Sequence, residues 1–300
     1  MSESTVLFDA PGPKARTRNI VVGVVGGAAI LAGIVFVIVG LANANQFTGD
    51  FWKPFLQPST WADYLLPGLL STLKAAALAI VLSLILGMLL GVGRLSTIAP
   101  IRIVCGVWVE VFRAIPVLVG MLFSYYFALY VLHLPKNQAF FGVVVGLVLY
   151  NSSVIAELIR SGVGSLPRGQ REAGLAIGLT EGQAMTSILL PQAVTAMLPS
   201  LVSQLVVVLK DTALGAIIGY PDLLQSGYTG SNLTGNLIPT VLVMAAMYII
   251  INYSLTRVAA WLEGRMKRRG RSVARPPDQL MGDPAKAANA GAASLQANQP

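Results

Sequence analysis

Six long stretches of this chain carry no charged side chain: residues 19–49, 75–93, 114–135, 137–156, 182–209 and 223–256. Each holds an apolar run of about 20 residues, which as a helix rising about 1.5 Å per residue crosses a hydrocarbon core of about 30 Å. The runs are continuous and lack the alternation over about ten residues of a membrane barrel strand, so helices are expected. Spans are placed at roughly 20–41, 69–92, 110–132, 139–160, 195–218 and 237–260. The expected fold class is therefore an all-α integral membrane protein of six transmembrane helices, one N-terminal helix added to a five-helix core. Composition agrees: 55% of the residues are hydrophobic and 11% charged, against about 25% charged in a soluble domain. One cysteine, Cys105, excludes a disulfide scaffold, and with one histidine, His133, it argues against a dedicated Cys/His metal site.

The loops test the span count independently. Lys14, Arg16 and Arg18 precede the first span, and Arg94 and Arg102 separate the second from the third. Arg160, Arg168 and Arg171 separate the fourth from the fifth. Arg265, Lys267, Arg268, Arg269, Arg271 and Arg275 follow the sixth. The other three loops carry only Lys53 and Lys136, with Asp50, Asp63 and Asp222. Positive charge thus falls on alternate loops, which places both termini in the cytoplasm of a multi-pass cell-membrane protein. The basic patch after Trp261 is read as binding anionic lipid headgroups and not nucleic acid. Ala42-Asn43-Ala44 after the first run resembles a signal-peptide cleavage site, but residues 20–41 are long for an h-region of about 7–15 residues. A retained helix is favoured; cleavage would leave five spans and an external N-terminus. From Arg271 onward the chain is mostly Ala, Asn, Gln, Gly, Pro and Asp, a composition that reads as a disordered cytoplasmic tail. The divisions expected are a cytoplasmic segment 1–19, the added helix and external loop 20–64, a core 65–262 and the tail 263–300.

Ionisable groups inside a membrane are costly, which makes each one a functional candidate. Glu110 with Arg113, and Glu157 with Arg160, have the spacing to pair on one helix face near the cytoplasmic ends of their spans. Interfacial pairing is the ordinary reading for them, and snorkelling for Lys74. Lys210-Asp211-Thr212 differs, because Pro191 and Pro199 precede it and Gly215 and Gly219 follow it. Proline and glycine around an intramembrane charge pair suggest an interrupted helix facing a wet cavity. The alternative is a buried pair that fixes helix packing.

Between the fourth and fifth spans, residues 169–191 form a helix-capable segment. Gly178 supplies a break, and Thr180 can N-cap a second short helix that begins with Glu181. Its small residues suit close approach by another surface; a loop packing on its own bundle would look the same.

Glu172-Ala173-Gly174, then Gly178, then Ile188-Leu189-Leu190-Pro191 resembles the EAA loop of permease subunits of binding-protein-dependent ABC importers. Gly174 stands where that pattern has a second alanine. Residues 110–119, Glu-Val-Phe-Arg-Ala-Ile-Pro-Val-Leu-Val, and residues 150–160, which end in Ala156-Glu157-Leu158-Ile159-Arg160, resemble segments of its polar-amino-acid subfamily. So do Leu166-Pro167-Arg168-Gly169-Gln170 and Leu209-Lys210-Asp211-Thr212-Ala213-Leu214. Together these cover roughly residues 65–260. The N-terminal stretch 6–14 and the added helix are similar to the D-type permeases of actinobacterial glutamate uptake systems.

The resemblance implies two permease subunits, a heterodimer being expected, with two cytoplasmic ATPases docked in their EAA loops and an extracytoplasmic solute-binding protein. It implies that Glu172, Ala173, Gly174, Gly178, Leu190 and Pro191 serve ATPase coupling. It also implies a polar amino acid as solute, glutamate first, with aspartate or glutamine as alternatives. The chain has no G-x-x-x-x-G-K-[ST] phosphate loop, so ATP and Mg belong to the partner ATPase and the chain itself is not expected to be an enzyme. For an acidic amino acid, Lys210 and Asp211 offer both signs of charge, with Asn151, Ser152, Thr212 and Arg113 as further candidates for the solute path. Alternatively, Lys210 and Asp211 neutralise each other and selectivity resides in the binding protein. The rival outside this class is a secondary transporter driven by an ion gradient, which usually shows a repeat of spans. A membrane enzyme is the second rival, but His133 has no acid or nucleophile constellation beside it, and Gly23-Val24-Val25-Gly26-Gly27 reads as helix packing and not as a dinucleotide site.

Overall fold

The computed structural model describes residues 12–271, and every regular element among them is helical. The tail beyond Arg271 and most of the 6–14 stretch lie outside the described residues. Besides the short helical turns Gly49–Trp52 and Pro58–Thr60, the helices are α1 (Pro13–Asn43), α2 (Leu66–Arg94), α3 (Ala99–Ala114), α4 (Val117–Tyr130), α5 (Gln138–Gly164), α6 (Arg168–Ala176), α7 (Glu181–Ala184), α8 (Leu190–Asp211), α9 (Leu223–Thr234) and α10 (Leu237–Arg271). Among the described residues, five helical segments are long and apolar enough to cross a membrane: Pro13–Asn43, Pro58–Arg94, Gln138–Gly164, Glu181–Ile218 and Leu237–Trp261.

The expected third span, 110–132, is not one straight helix. It divides into α3 and α4, which meet at 103°. Pro116 is the cause: its ring crowds the residue before it, and Ile115 takes φ −84° and ψ 125°, an extended conformation that ends α3. At about 1.5 Å per residue the 14 residues of α4 reach about 21 Å, so α4 alone falls short of a hydrocarbon core.

Helix α5 is the axis of the bundle, with α2, α4 and α8 packed around it. The buried face of α2 is made of small residues, Gly68, Thr72, Ala75, Ala76, Ala79, Ser83, Gly87 and Gly91, with Leu90 the one large side chain. Large apolar side chains such as Ile85, Leu89, Phe123, Ile249 and Ile250 point outward. This distribution suits a bilayer, where lipid is as apolar as leucine and helices associate by close backbone approach. A Cβ on Gly87 would stand 2.7 Å from Cβ of Ile155, so the α2–α5 contact requires glycine there. Across α5, Met121, Val143, Leu147 and Val208 close the core with Ala75 and Ala79.

Two prolines leave a local signature. The turns Trp61–Leu65 and Met185–Leu189 are wide π-type turns that end two residues before Pro67 and Pro191. A proline has no N–H to donate and its ring crowds the carbonyl four residues back, which a wider turn relieves. Helix α1 has no buried residue, and its Gly23 and Gly27 face open space. Segment 44–65 joins it to the bundle and is held by Asn236, whose Nδ2 donates to Phe51 O at 3.0 Å.

Asp222 caps α9. Its Oδ1 accepts from Gln225 N at 2.8 Å and its Oδ2 from the Tyr248 hydroxyl at 3.4 Å. The residue is fully buried, so both carboxylate oxygens are used inside the bundle.

Candidate functional site

Two regions draw together the residues singled out by sequence. The first is the turn between α6 and α7. Gly178 has φ +88°, the left-handed conformation that closes α6, and Thr180 caps α7 in a reciprocal box with Gln183. Arg171 spans the turn and grips Glu181 with two bonds, at 2.9 and 2.5 Å. Gly174 is buried against Ile188, whose Cδ1 would lie 3.0 Å from an added Cβ. Only the end of a flexible side chain is in the way, which accounts for alanine at this place in the family pattern.

The outer surface of this element is formed by Glu172, Ala173, Leu175, Ala176, Ile177 and Gly178, all exposed. Ile177 is 76% exposed. An uncovered isoleucine beside small residues at a polar turn is the kind of patch that marks a docking surface. Behind it, α2, the end of α5 and α7 enclose a cavity of about 560 Å³ that Arg171, Glu172, Glu181 and Met185 help line. Leu190 and Pro191 start α8, and Gln192 Nε2 donates to Gln170 Oε1 at 3.2 Å, tying α8 to α6.

The second region lies at the other end of α8. Its regular turns stop at Asp211 and tighten into a 3-10 segment, Thr212–Ile218, which Gly219 closes with φ +72°. The interruption expected from the glycines is thus a narrowing of the helix, not an unwound strand. Lys210 is exposed and Asp211 half-buried. Thr212, Asn151 and Ser152 are fully buried. Thr212 Oγ1 donates to Leu209 O at 2.7 Å and Ser152 Oγ to Leu149 O at 3.3 Å. Asn151 donates to Leu147 O at 2.9 Å and accepts from Gln204 Nε2 at 2.6 Å. Their polar atoms are used inside the bundle. The exposed stripe of α8 instead runs through Gln192, Ala196, Pro199, Ser203, Val207 and Lys210, at helical spacing.

Arg113 is in neither region. It belongs to an ion cluster centred on Glu157, which also takes Arg94 at 2.7 Å and Arg160 at 2.5 Å, with Arg113 at 3.6 Å. Glu110 pairs with Arg94 at 2.9 Å and not with Arg113 as the spacing suggested. The reason is tertiary: Arg94 ends α2 where α3 and α5 cross it, and with its side chain 14% exposed it reaches both carboxylates. Removing a carboxylate from a largely enclosed pair leaves an uncompensated charge. Glu157→Gln, which leaves Arg94, Arg113 and Arg160 facing one another, is expected to cost about 3 kcal/mol, read as a lower thermal midpoint in detergent. An unchanged midpoint would deny the cluster a structural role.

Sequence reasoning missed Arg94 as the crosspiece, and also Tyr248 and Asn252, which line a cavity with Lys210. Arg94 gave no signal because it reads as a loop charge. Asn252 is the one amide in the apolar run 237–255, a signal that was present in the sequence.

The family described as the inner membrane component of binding-protein-dependent transport systems matches residues 83–268. The glutamate transport system permease protein GluD of Corynebacterium glutamicum is 46% identical over 244 residues, covering 80% of this chain and 89% of that protein. The glutamate/aspartate import permease protein GltK of Escherichia coli is 35% identical, covering 67% of this chain and 93% of that protein. Among solved structures, an amino acid ABC transporter crystallised with histidines matches with a TM-score of 0.63 at 29% identity, over 70% of this chain and 98% of that one. The helical bundle, the α6–α7 turn and these matches together establish that the chain belongs to the family of inner-membrane permease components of binding-protein-dependent transport systems.

Proposed function

We propose that this chain is the permease subunit of an ATP-driven, binding-protein-dependent importer for a polar amino acid, with glutamate the first candidate and aspartate or glutamine the alternatives. The observation that carries the coupling part of this reading is the exposed α6–α7 turn, held open by Gly178 at φ +88° with Ile177 uncovered. The solute assignment draws on relatives named for glutamate and for glutamate/aspartate import. In this reading α3 and α4 count as one bent span, six spans cross the membrane and both termini are cytoplasmic. The permease unit is residues 65–262, with the docking loop at 169–191.

The partners are two ATPases, which bind ATP and Mg, a second permease subunit and an extracytoplasmic binding protein. Closure of the ATPases draws on Glu172, Ala173, Gly174 and Gly178, and α6 transmits the displacement through the Gln170–Gln192 contact and Leu190-Pro191 to α8. Lys210 faces the solute path, with Asp211 beside it. Thr212, Asn151 and Ser152 support that wall from behind, and Arg113 steadies the bend between α3 and α4. The chain itself catalyses no reaction.

The test is uptake of radiolabelled glutamate by proteoliposomes containing the complete importer, with and without internal ATP and with a protonophore. Uptake that needs ATP and the binding protein and survives the protonophore is the expected result. Uptake abolished by the protonophore and indifferent to ATP would establish a secondary transporter instead.

A further inference from the structure

Two rows of large apolar side chains face each other across α4 and α5. The helices run antiparallel, since a Cβ on Gly142 would meet Tyr125 and one on Gly146 would meet Met121. In that register Val119, Phe123 and Phe127 of α4 stand opposite Leu149, Val145 and Phe141 of α5, each row stepping by four residues. Between the rows runs a slot of about 440 Å³ with Gly120 and Ser124 on its floor, and all its other lining side chains are apolar. Gly120 keeps the floor low, because a Cβ there would touch only Gly146, at 3.9 Å. Phe123 is 68% exposed and its ring stacks on Phe127 with centroids 6.1 Å apart, so aromatic rings raise the α4 wall.

The slot is closed at one end only. Phe112 and Ile115, at the 103° bend between α3 and α4, line its deep end. The other end opens toward Tyr130 and the loop 131–137, at the end of α5 remote from the α6–α7 turn. From Phe141 to Leu149 the slot runs about 12 Å, at about 1.5 Å per residue. One leaflet contributes about 15 Å to a hydrocarbon core, so the slot has the reach of one leaflet. Its volume over that length gives a section of roughly 40 Å², about half that of a helix about 10 Å across.

Those dimensions suit a hydrocarbon chain and not a helix. A spanning helix laid in the slot would run into Phe112 and Ile115 before it had crossed the core. Helix contacts in this bundle are also made at small residues, such as Gly87 and Gly146, whereas these walls carry phenylalanines. The open end has the polar groups of a headgroup site. Tyr130 is exposed and stacks on Tyr126 at 5.9 Å, as in the aromatic belt of a membrane interface. Lys136 is exposed two residues before α5, and no ion pair within 4.0 Å involves it among the described residues. Lys53, the other lysine that the sequence assigns to the loops of that side, is engaged by Asp50 at 2.6 Å.

We propose that the α4–α5 slot binds one phospholipid, an acyl chain lying between the two rows with its methyl end against Phe112 and Ile115, and its phosphate at Lys136 and Tyr130. The bend at Pro116 thereby gives the permease a fixed lipid site in the leaflet away from the α6–α7 turn. This goes beyond the import reading and does not depend on which solute is carried.

The experiment uses the complete importer in proteoliposomes doped with phosphatidylglycerol that bears a photoactivatable diazirine in one acyl chain, at its methyl end or beside its carboxyl end. Labelled residues are located by peptide mass spectrometry. Val81 and Leu73 are the references, since the contacts of Gly87 with Ile155 and of Gly91 with Ile159 place them level with Leu149 and Phe141 on the outward face of α2. The methyl-end probe is expected to label Phe112 and Ile115, and the carboxyl-end probe Phe127 and Tyr130, each about fivefold or more above the reference at its depth. Gly120→Leu fills the floor and is expected to bring slot labelling down to the reference level, with the references unchanged. Val145→Phe narrows the slot from the α5 side and is read in the same way if Gly120→Leu does not assemble. Lys136→Gln lowers carboxyl-end labelling about twofold, the size of one exposed charge pair; unchanged labelling there overturns the phosphate contact. Slot labelling equal to the references in the parent importer describes an ordinary lipid-facing surface and overturns the site. So does labelling of both ends alike by the two probes, or labelling indifferent to the filling variant. A slot that takes no label in the assembled importer is covered by protein, which also overturns the site. ATP-dependent uptake is measured on the same vesicles, so that uptake without slot labelling refutes the lipid site alone and absence of uptake refutes the import reading.

Discussion

Gly178→Asp is expected to lower ATP-driven uptake about tenfold or more while the subunits still assemble. An added Cβ at this position meets nothing within 4 Å, so the effect is not one of crowding inside the chain. It comes from the backbone, which has φ +88°. A side chain in the left-handed region costs about 1–2 kcal/mol, which lowers the population of the docking conformation about tenfold. The carboxylate adds a second obstacle by placing charge on a surface that otherwise presents Ala173, Ala176 and Ile177. Gly178→Ala separates the two contributions, since it keeps the strain and omits the charge. Uptake and ATP hydrolysis are measured on the same vesicles, and the expected signature is hydrolysis that no longer responds to solute-loaded binding protein. A Gly178→Asp importer working at the normal rate would remove Gly178 from the coupling surface.

The second large effect is on stability. Gly146 on α5 faces Met121 on α4, and a Cβ there would stand 2.7 Å from the Met121 Cα and N. Those are backbone atoms, so no rotamer change relieves the contact and the two helices must move apart. Overpacking of this kind costs about 1–3 kcal/mol, and the backbone contact places Gly146→Ala toward the upper end. Gly120 makes the matched control. It lies across the same helix pair, yet a Cβ on it would meet only Gly146, at 3.9 Å. Gly120→Ala is therefore expected to leave the thermal midpoint in detergent nearly unchanged while Gly146→Ala lowers it by several degrees. Equal midpoints for the two variants would show that the α4–α5 contact is not tight at Gly146.

Much of the α6–α7 turn was legible because its determinants are local. Gly178 ends one helix and Thr180 starts the next through bonds that span three or four residues, and such caps depend on residue type and spacing alone. The apolar runs were legible for a similar reason, since crossing a bilayer sets a minimum length for each. The bend at Ile115–Pro116 was also written locally, but the apolar run passes straight through it, and hydropathy does not register backbone direction. The ion cluster was read less well. Glu157 with Arg160 follows from helical spacing, whereas Glu110 turns to Arg94, sixteen residues away, because α2, α3 and α5 cross there.

The solute-path candidates show the same division. Polar residue types in apolar runs selected Asn151, Ser152, Thr212 and Lys210 alike, yet three of them are fully buried and hydrogen-bonded within the bundle while Lys210 faces outward. Tyr248 and Asn252 came to stand beside Lys210 only because α10 packs on α8. The sequence by itself determined the helical class, the apolar segments and the capped α6–α7 turn, since each depends on residues close together in the chain. Tertiary structure decided which polar side chains are buried, which carboxylate each arginine meets and what shares a cavity with Lys210. Those outcomes depend on which faces of distant helices meet, and helix faces are joined by packing between small residues that periodicity alone does not pair.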